Sequence, residues 1–141
     1  MMKMIRFLLA LTLASAVLAP ALARPASING RWLTEEKDSI ITISQCGSTV
    51  CGKIERILVQ TPDANQKDVN NPNPKLRSRP VLGLPVLLNF RPDDTKWNGK
   101  AYDPKTGRTY TTNITLLKNG KLKVQGCVAI FCQSQYWTRA S

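Results

Sequence analysis

The chain has no histidine among its 141 residues, and only 9 Asp and Glu stand against 20 Lys and Arg. Without imidazole, Ser-His-Asp triads and histidine-based zinc sites are set aside. Aromatic residues make up only 6% of the chain, too few for the cluster of exposed rings among cations on which single-stranded nucleic acid stacks. There is no internal repeat and no low-complexity run. Beyond the N-terminal segment no stretch approaches the about 20 apolar residues needed to span a bilayer. The chemistry left for an enzyme is a carboxylate pair such as Asp68 and Asp103, which at a fixed separation hydrolyses glycosidic bonds. Asp103 precedes Pro104 and reads better as a turn initiator, and nothing in the pattern sets that separation. We therefore expect a non-catalytic protein without cofactor or metal.

What is present begins with a leader. Lys3 and Arg6 precede an apolar run from Phe7 to Leu18, followed by Pro20 and the small-residue segment Ala21-Leu22-Ala23. Positive, apolar and cleavage regions in that order read as a secretory signal over residues 1–23, cut after Ala23. The apolar run is too short for a membrane anchor. Cleavage leaves residues 24–141 as one domain, about 118 residues able to bury roughly two-thirds of their unfolded surface. Losing Lys3 and Arg6 leaves 18 cations against 9 carboxylates, a net charge of about +9. That charge favours anionic partners. Export argues against nucleic acid and leaves small anionic ligands, lipid head groups or acidic polysaccharide at an envelope surface.

All four cysteines lie in the mature part, and an oxidising compartment turns them into an expectation of two disulfides. Cys46 and Cys51 flank four residues, as do Cys127 and Cys132, which places each pair directly across a hairpin turn. Four thiolates in two pairs also suit zinc, but the spacing exceeds the usual short knuckle and export brings oxidation.

Period-two alternation recurs through the mature chain and helical periodicity does not. It predicts strands over Ile28 to Leu33, Ser39 to Cys46, Cys51 to Val59, Val81 to Phe90, Trp97 to Asp103, Arg108 to Leu117, Gly120 to Cys127 and Cys132 to Arg139. Gly83 and Pro85 disturb the fourth, because proline cannot donate a ladder hydrogen bond. Turn signals at Lys118-Asn119-Gly120 and Asp103 to Gly107 join neighbours tightly, as an antiparallel meander requires. About eight short strands with one wet face are best closed as an all-β, up-and-down barrel, which removes exposed edges. Ile41, Ile43, Ile54, Leu87, Leu122 and Val124 are expected to face inward. Such an interior is either filled by side chains or open to one ligand.

Two features stand out from this regularity. In a closing meander the first and last strands become neighbours, so Gly30-Arg31-Trp32 meets Trp137-Thr138-Arg139. The Arg139 guanidinium can then stack on Trp32 and seal the base, a structural role for Gly30, Trp32, Trp137 and Arg139. The second is a polar, Asn- and Pro-rich segment from Thr61 to Arg79, whose length fits a functional or disordered loop and whose composition fits a solvated connection equally well.

The order of these motifs resembles a family of uncharacterised exported bacterial proteins, the domain of unknown function 2147. The resemblance is carried by Gly30-Arg31-Trp32, Cys46-Gly47, Cys51-Gly52-Lys53-Ile54, Asp68-Val69-Asn70-Asn71-Pro72, Leu76-Arg77-Ser78-Arg79-Pro80, Gly83, Tyr102-Asp103-Pro104, Gly107, Tyr110 and Gln135-Tyr136-Trp137-Thr138-Arg139. It departs at Lys100-Ala101, where the family tends to carry Gly and a β-branched residue. It implies a lipocalin-like barrel, periplasmic or secreted, with no established activity.

Asp68, Asn71, Arg77, Arg79, Tyr102 and Asp103 are the candidate ligand-binding residues, since the long loop can bring a guanidinium to a carboxylate or phosphate at the barrel mouth. The competing reading has Arg77 and Arg79 pairing with Asp68 or Asp103 to pin the loop, and the local bonding capacity of Asn and Asp favours it. With an apolar floor and polar mouth, the expected ligand is small and amphipathic or anionic. The alternative is a filled barrel that binds anionic lipid or polysaccharide through its basic outer face.

Overall fold

A computed structural model describes residues 13–19, 24–59 and 66–141. Most of the leader assigned to 1–23, including its cleavage point, lies outside the described residues, as do 61–65 of the long loop. Residues 13–19 carry no secondary structure, and among the described residues no helix is long and apolar enough to cross a membrane.

Eight strands follow in chain order: β1 Gly30–Leu33, β2 Ser39–Cys46, β3 Thr49–Ile57, β4 Pro85–Asp93, β5 Lys96–Asp103, β6 Arg108–Leu116, β7 Leu122–Val128 and β8 Phe131–Arg139. Each pairs antiparallel with the next, and β8 returns to β1, so the sheet is a closed barrel. Among the described residues the helical content is one 3-10 turn, Pro74–Leu76, capped by the Asn73 side chain accepting from Lys75 N. β6 shows why these residues extend: Thr109, Thr111, Thr112, Ile114 and Thr115 are β-branched and fit a pleated, half-buried surface.

Two expectations about local geometry are corrected. Cys46 and Cys51 are not directly opposite: a two-residue turn at Gly47-Ser48 pairs Cys46 with Thr49 and Cys51 with Ser44, so the cysteines meet on the diagonal. Their Cα atoms are 5.8 Å apart, still disulfide distance. Cys127 and Cys132 do face each other in register, with Cα atoms 4.1 Å apart. The fourth strand starts at Pro85 rather than Val81. Leu84 N bonds back to Val81 O, so these residues turn, while Gly83 N and Leu84 O bond to Ile54 on β3. The turn therefore borrows the ladder groups that a strand would have used.

The seam is the shortest pairing in the ring, with Trp32 opposite Arg139 and Leu33 opposite Thr138. Arg139 compensates from outside the ladder. Its guanidinium carbon lies 4.1 Å from the Trp32 ring centroid, and Nη1 donates to Asn29 O at 2.9 Å. Gly30 makes room for this, because a Cβ there would lie 2.3 Å from Arg139 Nη1. The segment before β1 then crosses the same end of the barrel. Trp32 Nε1 donates to Ile28 O and Trp97 Nε1 to Ala26 O, both at 2.9 Å. Ile28 plugs the base, fully buried with Trp32, Ile43, Phe90, Ile114 and Leu122. Each such side chain contributes roughly 1.5–3 kcal/mol by leaving water.

Candidate functional site

The packed base occupies one end of the barrel only. Toward the other end the inward side chains stop meeting, and a cavity of about 460 Å³ opens to solvent, within the about 300–1,000 Å³ of typical ligand pockets. Strand alternation dictates most of the lining, since residues two apart share a face, and β4, irregular in its pairing with β3, adds the adjacent Val86 and Leu87. Ile41, Ile54, Val86, Leu87, Val124 and Trp137 supply the apolar floor, Tyr102, Tyr110, Thr112, Gln133 and Gln135 the polar wall, and Glu36, Asp38, Asp103, Lys105 and Arg108 charges at the mouth. Trp137, expected at the sealed base, is a buried cavity residue instead, its Nε1 donating to Gln135 Oε1 at 3.0 Å. Its side follows from register, because it stands opposite inward-facing Leu122.

Of the residues singled out for ligand binding, only Tyr102 and Asp103 line this cavity. Asp68, Asn71, Arg77 and Arg79 do not, and the physical reason is that they satisfy one another. Asp68 is completely buried. Its Oδ1 accepts from Tyr102 Oη at 2.5 Å, and its Oδ2 from Asn71 Nδ2 at 2.8 Å and Arg79 Nε at 2.9 Å. The Arg79 guanidinium also lies over the Tyr102 ring, 5.9 Å from its centroid. Arg77 Nε donates to Asn71 O. The loop is pinned, and it stands behind the cavity wall at Tyr102.

The electrostatics of this cluster follow from burial opposed by donors. Burial pushes the Asp68 carboxyl up, but hydrogen bonds from Tyr102, Asn71 and Arg79 outweigh it and hold the group below the usual carboxylate range. Burial and the bond to Asp68 push the Tyr102 hydroxyl up to about 12. Asp103 turns its carboxylate inward on its own turn, accepting from Lys105 N at 2.9 Å and Thr106 Oγ1 at 3.2 Å. Asn70 fastens the loop to this turn through Pro104 O and Lys105 O. Gly107 (φ 73°) permits the approach, since a Cβ there would lie 1.9 Å from Asn70 O.

The charges at the mouth escape the sequence reading. Lys105 Nζ contacts Glu36 Oε2 at 2.7 Å and also Asp38. The β1–β2 and β5–β6 turns that carry these groups stand on opposite sides of an eight-strand ring, so Lys105 ties one rim to the other. Burial lowers the affinity of Lys105 for its proton, but its bonds to Asp38 and Glu36 more than reverse this and raise its pKa. No sequence pattern announces such a cross-mouth contact. Arg108 and Tyr110 were more accessible, because counting back by twos from inward Ile114 reaches Thr112, Tyr110 and Arg108. Arg108 forms no ion pair among the described residues.

Comparison with known proteins agrees with this architecture. The structure of HP1028 from the human pathogen Helicobacter pylori, described as belonging to the lipocalin family, superposes with a TM-score of 0.70 at 23% identity, over 82% of this chain and 84% of that one. At that identity the likeness establishes the fold, an antiparallel lipocalin-like barrel. No curated protein matches the chain. The family model described as "Uncharacterized protein conserved in bacteria (DUF2147)" matches residues 30–139, from the glycine at the seam to the arginine that closes it, and the chain belongs to this family.

Proposed function

We propose that the protein is an exported, non-catalytic binding protein, residues 24–141 forming one domain that holds a small amphipathic or anionic ligand in the open half of its barrel. The observation that carries this reading is the division of the interior. One end is sealed by Ile28, Trp32 and their neighbours, while the other keeps an apolar floor beneath a polar wall and a charged mouth. An apolar tail fits against Ile41, Ile54, Leu87 and Val124. An anionic head group then meets Arg108, a planar donor without an ion-pair partner among the described residues, beside the Tyr110 hydroxyl. Tyr102 and Asp103 touch the ligand from the neighbouring strand, where Asp103 pairs with Arg108 in register. Asp68, Asn71, Arg77 and Arg79 act behind Tyr102, fixing its ring rather than reaching the ligand.

Export into the periplasm or beyond is supported by the leader pattern and by two cysteine pairs at disulfide distance, which an oxidising compartment preserves. Native mass spectrometry of protein purified from its own envelope tests the binding reading. A retained amphiphile, lost on Arg108→Ala or Leu87→Trp substitution, is the expected result. Protein that arrives empty and gains no thermal stability from fatty acids or phospholipids would overturn it.

A further inference from the structure

The tip of the β7–β8 hairpin is apolar where hairpin tips are usually polar. Val128, Ile130 and Phe131 are 53%, 87% and 76% exposed, and Ala129 lies between them in sequence. Val128 pairs with Phe131, so Ala129 and Ile130 form the two-residue turn, with Ala129 at φ 53°. Such turns favour Gly, Asn or Asp, which tolerate positive φ and keep the tip wet. Neither the turn's geometry nor core burial explains Ala-Ile here. Cys127 and Cys132, facing each other one rung behind, brace the tip. Val128 and Phe131 also border the cavity mouth, together with Arg108, which forms no ion pair among the described residues.

We propose that this tip is a membrane finger: Ile130 and Phe131 enter the interfacial region of an anionic phospholipid surface, Arg108 meets its head groups, and the cavity mouth is brought against the bilayer. The net charge of about +9 left after the leader supplies long-range attraction to such a surface. A bilayer fits better than a protein partner, because a four-residue tip falls far short of the about 800 Å² per side of a stable protein interface. Interfacial insertion needs only a few apolar side chains reaching about 5–10 Å into the head-group boundary, aided by charge. The inference rests on the apolar tip and on the protein's net positive charge, and stands whether or not the cavity holds a ligand.

The test is flotation of the purified protein with vesicles of phosphatidylcholine alone or mixed with phosphatidylglycerol. Binding to the mixed vesicles, weakened by salt, is expected to fall about tenfold or more in Ile130→Ser, with circular dichroism and thermal melting unchanged. Ile130 does not line the cavity, so this variant separates docking from ligand binding. Ile130→Trp should add fluorescence that brominated lipids quench. Absence of binding to the mixed vesicles overturns the proposal. Binding that Ile130→Ser leaves intact overturns it in favour of the basic face alone, and a concentration-dependent oligomer dissolved by Ile130→Ser overturns it in favour of a protein interface.

Discussion

The Tyr102 hydroxyl donates to the Asp68 carboxylate at 2.5 Å, joining the end of β5 to a loop 34 residues earlier in the chain. With Asn71 and Arg79 on the other oxygen, a fully buried carboxylate is satisfied by three donors. Removing the acceptor strands them all. We expect Asp68→Ala to cost about 2 to 4 kcal/mol and Tyr102→Phe only about 1 to 2, since the latter leaves Asp68 two of its donors. Urea denaturation of both variants checks the order, and equal costs would mean that the Arg79 and Asn71 contacts contribute nothing.

The same pair sets a pH window. Tyr102, pushed up to about 12 by burial and by Asp68, favours its neutral form in the folded protein. Its contribution is complete below the unfolded tyrosine value of about 10 and is lost as pH rises through about 12. Asp68 behaves in the opposite sense: its lowered pKa contributes stability above the unfolded value of about 3.9, and that is lost as pH falls through the folded value. Stability against urea should therefore decline at both extremes. In Tyr102→Phe the alkaline decline should shrink and the late tyrosine step in ultraviolet absorbance should disappear.

The meander and barrel were legible because alternation on strands such as β7 is a direct physical record of one wet and one buried face. The seam residues were legible for a related reason: a closing meander leaves its two ends no other neighbours. The location of the cavity wall was less so. Asp68, Asn71, Arg77 and Arg79 carry the composition of a binding loop and of a pinned loop alike, and only three-dimensional pairing distinguishes them. Lys105, with Glu36 and Asp38, is harder still, since those partners lie 69 and 67 residues away and meet it only once the ring has closed.

At the seam, Arg139 and Gly30 form a pair that should be non-additive. Arg139→Ala removes the stack on Trp32 and the bond to Asn29 O, for an expected loss of about 1 to 2 kcal/mol. Gly30→Ala places a Cβ against the same guanidinium and also meets backbone strain at φ 135°. In the Arg139→Ala background the steric part vanishes and the strain remains. Thermal denaturation of the two singles and the double should show a combined loss smaller than their sum. Strict additivity would place the contact outside the energetics of closure.

Lys105 offers a last test, on access rather than stability. It spans the mouth to Glu36 and Asp38, yet its side chain is 62% exposed, so water and salt screen the pairs and their worth is about 1 kcal/mol or less. Burial pushes Asp38 up, but bonds from Lys105, Thr34 and Ser39 hold it below the usual carboxylate range, so its bond to Lys105 persists into acid. Lys105→Ala should therefore leave the melting temperature nearly unchanged while opening the route between the rims. With the anionic dye 1-anilinonaphthalene-8-sulfonate as probe of the apolar floor, association and dissociation should both accelerate at neutral pH. High salt should move the unsubstituted protein toward the variant and leave the variant's own rates less affected. Identical dye kinetics in the two proteins would mean that the cross-mouth contact does not gate the cavity, and that entry runs beside the tie rather than through it.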